Sequence, residues 1–204
     1  MHLIKDRDRT LIIDLLNSTF KDNKSVNFIL KQDPKIDSRR VALIEYCIEI
    51  VEEFGEIFLN DEGTACALLL NENKTKVGFK SIQRDLNFAF NIAGIGNIPK
   101  ILKREKLLKE KTPEGDFMHL WFIAVDQNKQ GEGIGSKFLQ ELKMHYHKIG
   151  YGIYLETSTS KNINFYKRNG FELHHTIGTD ELGYQLFLFR TPSNKTSTST
   201  RIES

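Results

Sequence analysis

One stretch restricts this chain more than any other. An apolar run, Phe117 to Val125, passes through Asp126-Gln127-Asn128-Lys129 into Gln130-Gly131-Glu132-Gly133-Ile134-Gly135-Ser136, and an amphipathic pattern follows at once. The run is rich in aromatics and reads as a buried strand. From about Gly133 to Lys148 the spacing puts Ile134, Phe138, Leu142 and Met144 on one inward face, which predicts a helix. Glycines between a strand and a helix allow a sharp bend. They also let main-chain N–H groups converge beside the positive end of the helix, where a pyrophosphate is well accommodated. Taken alone, the bend does not choose among nucleotide binders. A Walker-type loop needs Gly-Lys-Ser/Thr, whereas this chain reads Gly135-Ser136-Lys137. A Rossmann turn follows its strand more directly, and its last glycine would fall on Ser136; Glu156, about 20 residues on, keeps that reading second.

The rest of the chain supplies context. Leu11, Ile12, Leu15 and Leu16, then Leu43, Ile44, Cys47, Ile48 and Val51, recur at helical spacing. Strands are predicted at Glu56 to Leu59 and Thr64 to Leu70 around the turn Asn60-Asp61-Glu62-Gly63. Helical character returns over Ser81 to Ile92 and Ile98 to Lys109. After the glycine bend come a strand (Tyr151 to Glu156), a short helix (Asn162 to Arg168), a strand (Phe171 to Thr176) and a closing segment (Leu182 to Arg190). Alternating strands and helices predict an α/β (α+β) sheet. One domain over 1–190 is expected, with 1–115 as an acceptor-side region, 117–176 as a coenzyme-binding core, and a polar, disordered tail over 191–204.

Two motifs in order sharpen this. Leu120-Trp121-Phe122-Ile123-Ala124-Val125 followed by Gln130, Gly133 and Gly135 resembles the acyl-CoA signature of the GCN5-related N-acetyltransferases (GNAT). Leu155-Glu156-Thr157, Asn162, Phe165-Tyr166 and Gly170-Phe171 resemble that family's second signature, most of all in its puromycin-acetyltransferase-like branch. The resemblance spans about Phe117 to Leu173. It implies a mixed, mostly antiparallel sheet whose central parallel strands splay apart around acetyl-CoA.

Carried over by position, the resemblance gives main-chain groups of Ile123, Ala124 and Val125 to the pantetheine arm and assigns Gln130, Gly131, Glu132, Gly133, Ile134, Gly135 and Ser136 to the pyrophosphate. Asn162 would bind the pantetheine amide region. Tyr166, on the same helix face, would protonate the departing thiolate, since a positioned phenol can donate a proton to it. An alkylammonium must lose a proton before it attacks. Glu156, with a pKa raised by an apolar cleft, is the first candidate base. His119 is the second, expected to share a strand face with Trp121, Ile123 and Val125. Plain core packing accounts equally well for the strand residues and for Tyr166 taken singly.

The resemblance implies a small-molecule or peptide amine as acceptor; Phe79, Phe88, Phe90, Trp121 and Phe122 hint that it has some apolar body, and core packing accounts for them equally well. Lys100 to Lys111 reads as a solvated basic helix face. A formal charge of +2 argues against a nucleic-acid partner, and no run approaches the length of a membrane span. Cys47 and Cys66 read as reduced and buried, no metal-ligand spacing is present, and a cytoplasmic monomer or homodimer is expected. Two other functions stand behind N-acetyl transfer: a non-catalytic acyl-CoA-binding or regulatory module, and a Rossmann-type oxidoreductase.

Overall fold

The computed structural model describes residues 1–75 and 79–192, so most of the expected polar tail and the side chain of Phe79 lie outside the described residues. In chain order the elements are β1 (His2–Leu3), α1 (Arg9–Phe20), α2 (Lys24–Ile29), α3 (Ile36–Phe54), β2 (Gly55–Leu59), β3 (Ala65–Leu70), α4 (Phe79–Asn87), α5 (Ile98–Lys109), β4 (Phe117–Val125), α6 (Ile134–Lys148), β5 (Gly152–Thr157), α7 (Lys161–Arg168), β6 (Glu172–Ile177), α8 (Thr179–Leu182) and β7 (Leu186–Arg190). A π-helical stretch, Phe88–Ala93, joins α4 towards α5.

The strands form one seven-stranded sheet in the order β1-β2-β3-β4-β5-β7-β6. Every neighbouring pair is antiparallel except β4 and β5. A doubly wound dinucleotide fold needs a largely parallel sheet, so this topology rules out the oxidoreductase reading. The β2–β3 hairpin is closed by Asn60, whose side-chain oxygen accepts from the N–H groups of Thr64 and Ala65 at 2.7 and 2.8 Å.

Each sheet face is covered by helices whose apolar stripes match it. On one face α1 and α3 bury Ile12, Leu16, Ile44 and Ile48 against Leu68, Phe122 and Ala124. On the other, α6 buries Phe138, Leu139, Leu142 and Tyr146 against Met118, Leu120, Ile153 and Leu155. Two inward assignments differ from the sequence expectation. Met144 is 56% exposed, and the face turns through Leu139 and Tyr146 instead. Leu11 also points outward, beside the buried Ile12. No described helix is long and apolar enough to cross a membrane.

Candidate active site

Parallel pairing between β4 and β5 runs only from Phe117↔Gly152 to His119↔Tyr154. Beyond that rung β4 continues to Val125 paired only with β3, while β5 pairs with β7. The two strands therefore part like a fork. Among the described residues, main-chain groups of β4 that face the gap from Leu120 onwards have no strand partner, and such groups need an acceptor or donor from elsewhere.

β4 is also irregular. Leu68 opposes Phe122 while Leu69 opposes Leu120, which leaves Trp121 as an extra residue. A bulge of one residue reverses the side-chain alternation beyond it. His119 and Trp121 thus share a face with Phe122, whereas Ile123 and Val125 turn to the opposite face with Met118 and Leu120. The expectation that His119, Trp121, Ile123 and Val125 share one face fails at this bulge. Ala124 is buried under α1.

At the open end of the fork the chain bends into α6. Gly131 and Gly133 have φ of 87° and 81°, a region that residues with a Cβ rarely adopt. A Cβ at either position would meet nothing within 4 Å, so the space over the bend is open. Gly133 is the N-cap of α6, and the N–H groups of Ile134, Gly135 and Ser136 have no acceptor inside the helix. Gly135 serves closeness instead: a Cβ there would lie 3.3 Å from Val125 and 3.6 Å from the Phe165 ring. That contact brings the end of β4, the start of α6 and α7 together. Gln130 folds back, its amide donating to the Val125 carbonyl at 3.4 Å, and Ser136 accepts from Asn169 at 3.2 Å. Glu132 lies at the surface 3.9 Å from Lys129. The open, glycine-lined bend, the free amides and the unpaired strand edge together fit an extended, anionic coenzyme.

On α7, Asn162 donates to Thr157 at 3.4 Å. Tyr166, one turn on, is buried against Phe165, Phe171 and Phe189. Burial and the nearby charge of Glu156 push its hydroxyl above the ordinary phenol value, which keeps it protonated.

At the crotch of the fork the structure brings Glu156 and His119 together. His119 Nε2 is 2.7 Å from Glu156 Oε2, and Nδ1 is 2.8 Å from Glu72 Oε1. The imidazole stacks on the Tyr154 ring at 4.5 Å and 13°. Register explains the meeting. Leu70 at the end of β3 opposes His119, so Glu72 in the following turn projects past the ring, while Glu156 stands two residues beyond the last parallel rung. From α5, Arg104 donates to Glu156 at 3.4 Å, to Ser25 at 3.0 Å, to the Tyr184 hydroxyl at 3.2 Å and to Glu105 at 2.6 Å.

These contacts reverse one expectation. Burial raises the Glu156 pKa, but the charges of His119 and Arg104 outweigh it and hold the carboxyl well below its ordinary value. Burial lowers the His119 pKa, yet Glu156 and Glu72 outweigh that and hold the ring above the usual imidazole range. Glu156 is therefore not a lone carboxyl of raised pKa; it is one end of a carboxylate–imidazolium–carboxylate array. Arg104 corrects a second reading, because the expected solvated face of α5 carries this buried cation into the site. Glu72 and Arg104 have no motif of their own. Only the Leu70↔His119 register, which requires the β3–β4 pairing and its bulge, brings Glu72 to the ring.

The array stands at the polar end of a cavity of about 580 Å³ between α2, α3, α5 and the sheet. Trp121, Phe122 and Phe88 line it as expected, whereas Phe90 is 59% exposed and points away. Tyr166 is not among the lining residues and lies across the sheet, in the core beneath α6 and α7.

A forked parallel pair, a glycine-lined helix start and an adjoining cavity with an ionisable cluster define a group-transfer fold of the acetyltransferase class. The sequence model described as an acetyltransferase (GNAT) domain matches residues 64–173, and the chain belongs to that family. Its fold is similar to that of a histone acetyltransferase and related acetyltransferase from Corynebacterium glutamicum, at 19% identity and TM-score 0.67, covering 96% of this chain and 97% of that one. It is also similar to the Drosophila melanogaster polyamine N-acetyltransferase (13%, 0.62, 92% and 97%) and to arylalkylamine N-acetyltransferase 2 of Aedes aegypti (15%, 0.61, 94% and 97%).

Proposed function

We propose that this chain is an acetyl-CoA-dependent N-acetyltransferase acting on a primary amine. The observation that carries the reading is the fork that opens beyond the His119↔Tyr154 rung, with an anion-binding helix start at one end and an ionisable cluster facing a cavity at the other. The open cavity and the presence of Glu156 on its wall favour catalysis over a coenzyme-sensing module.

Bound acetyl-CoA supplies an acyl group activated as a thioester. The chain's residues do the rest. Main-chain groups of Ile123, Ala124 and Val125 align the pantetheine arm, and Gln130 to Ser136 hold the pyrophosphate. Asn162 binds the amide region, and Tyr166 holds a proton for the sulfur that leaves. His119 and Glu156 work as a pair: the imidazolium loses a proton towards Glu72 and solvent, and the pair then accepts the proton shed by the amine. Acetyl transfer is direct, with no covalent enzyme intermediate, since burial pushes the Cys47 thiol up, far from thiolate chemistry. The order Leu155-Glu156-Thr157, Asn162, Phe165-Tyr166 supports a place near the puromycin-acetyltransferase-like branch.

An acetyl-CoA consumption screen across amine classes, read by free-thiol release, tests the reading. Amine-dependent release together with thermal stabilisation by acetyl-CoA and not by NADH is expected. Stabilisation without amine-dependent release would leave the coenzyme-binding module as the function.

A further inference from the structure

We infer that Glu72 is the counter-charge for the acceptor's ammonium group, and that the acceptor is a primary amine bearing one positive charge on an apolar body. The inference deepens the N-acetyltransferase reading above and rests on it. Four acidic or basic side chains meet at the polar end of the cavity, and they differ in access. Glu156, His119 and Arg104 have side chains 10%, 8% and 6% exposed, whereas Glu72 is 43% exposed. Glu72 and Glu156 both line the cavity, and of the two carboxylates on the His119 ring it is Glu72 that stands open to an entering cation.

A neighbouring side chain points the same way. Tyr154 lines the same cavity and is 8% exposed, and its buried hydroxyl lies beside the Glu72 carboxylate and Thr112. Its ring is fixed by the stack on His119, and burial with the adjacent Glu72 charge keeps the phenol protonated. An ammonium carries three N–H donors. The phenol oxygen can accept one and the Glu72 carboxylate another, so the two neighbouring groups form one receptor for the ammonium.

The remaining walls restrict what the amine is attached to. Phe20, Ile29, Leu43, Ile50, Phe88 and Trp121 face the cavity. A second ammonium among them would be desolvated without a partner. The other acid on the wall, Glu105, is already neutralised by Arg104 at 2.6 Å, with Lys109 on the same wall. Arg104 in turn is committed to Glu105, Glu156, Ser25 and Tyr184, and so is not free for a substrate carboxylate. Polyamines and amino acids both fit poorly; a monocationic aryl- or alkylamine fits.

The test compares phenethylamine, spermidine and phenylalanine with the full chain, by calorimetric binding in the presence of CoA and by acetyl-CoA turnover. Phenethylamine is expected to bind at least about tenfold more tightly than either rival. Glu72→Gln should weaken it at least about tenfold and Tyr154→Phe about threefold, with the acetyl-CoA-induced thermal shift unchanged in both. Tighter spermidine binding, or phenethylamine affinity unchanged in both variants, overturns the inference. Turnover of other amines with weak, Glu72-independent phenethylamine binding leaves the N-acetyltransferase reading standing and sinks this one. Tight, Glu72-dependent binding without any acetyl transfer upholds the binding site and removes the enzymatic reading. Tyr154→Phe, which keeps the stacked ring, carries the test should Glu72→Gln fail to fold.

Discussion

His119 Nε2 lies 2.7 Å from Glu156 Oε2, a contact between a cation and an anion whose two side chains are both nearly closed to water. A buried pair of this kind is stable only when the remaining polar atoms are also satisfied. Glu72 on the other ring nitrogen and Arg104 on the other carboxylate oxygen do that here. The cluster thus acts as one unit, and the behaviour of any member depends on the charges of the others.

The first consequence concerns pH. His119 is held above the usual imidazole range by Glu156 and Glu72 together, so its neutral form gains population only as the medium becomes alkaline. The kcat/KM for the amine should rise with pH beyond the normal imidazole range. Glu72→Gln removes one stabilising charge from the imidazolium and should move that limb to lower pH. A pH–rate profile of wild type and variant checks this; an unmoved limb would separate Glu72 from the base.

The second concerns stability. Glu156→Gln leaves His119 and Arg104 buried with less counter-charge and should destabilise the protein by about 3 kcal/mol near neutral pH, read by denaturant unfolding. The sign with pH follows from linkage. The Glu156 pKa is depressed in the folded chain, so its contribution is complete above the unfolded carboxyl value and is lost as pH falls through the folded one. The gap between wild type and variant should therefore narrow on strong acidification. A gap that widened in acid would contradict the assignment.

How much of this was legible in the sequence depends on range. The coenzyme side is local: a strand, a bend and a helix within residues 117–148 carry their own patterns, and Gly131 and Gly133 have the positive φ that their type suggests. His119 and Glu156 were visible as candidates, but their electrostatics were not. The direction of the Glu156 shift is set by Arg104, 52 positions away, and by His119, 37 away. Strict alternation also misplaced Ile123 and Val125, because a single extra residue at Trp121 is invisible to a period-two pattern. Met144 failed for a plainer reason: the α6 stripe drifts round the helix, and the larger Tyr146 fills the inward place.

The third prediction separates two kinds of glycine. At Gly133 a side chain meets no atom but must adopt φ of 81°, a cost of about 1–2 kcal/mol for an L-residue. At Gly135 the backbone is ordinarily helical and a Cβ presses on Val125. Gly133→Ala should raise the KM for acetyl-CoA several-fold by tilting the amides of the bend, with the KM for the amine little changed. Gly135→Ala should act mainly on the melting temperature. Equal effects of the two on acetyl-CoA KM would mean that the bend does not hold the coenzyme.

The fourth prediction tests the acid. Tyr166 sits in an aromatic nest of Phe165, Phe171 and Phe189, so Tyr166→Phe keeps the ring and its packing and removes one oxygen. Its hydroxyl is held in the protonated form, the form needed to donate to a departing thiolate. If it does so, kcat should fall about 100-fold, a typical contribution of a positioned proton donor, while acetyl-CoA affinity and the denaturation midpoint stay near wild type. The opposite pattern, unchanged turnover with a lowered midpoint, would make Tyr166 a core residue and leave the thiolate to be protonated by solvent.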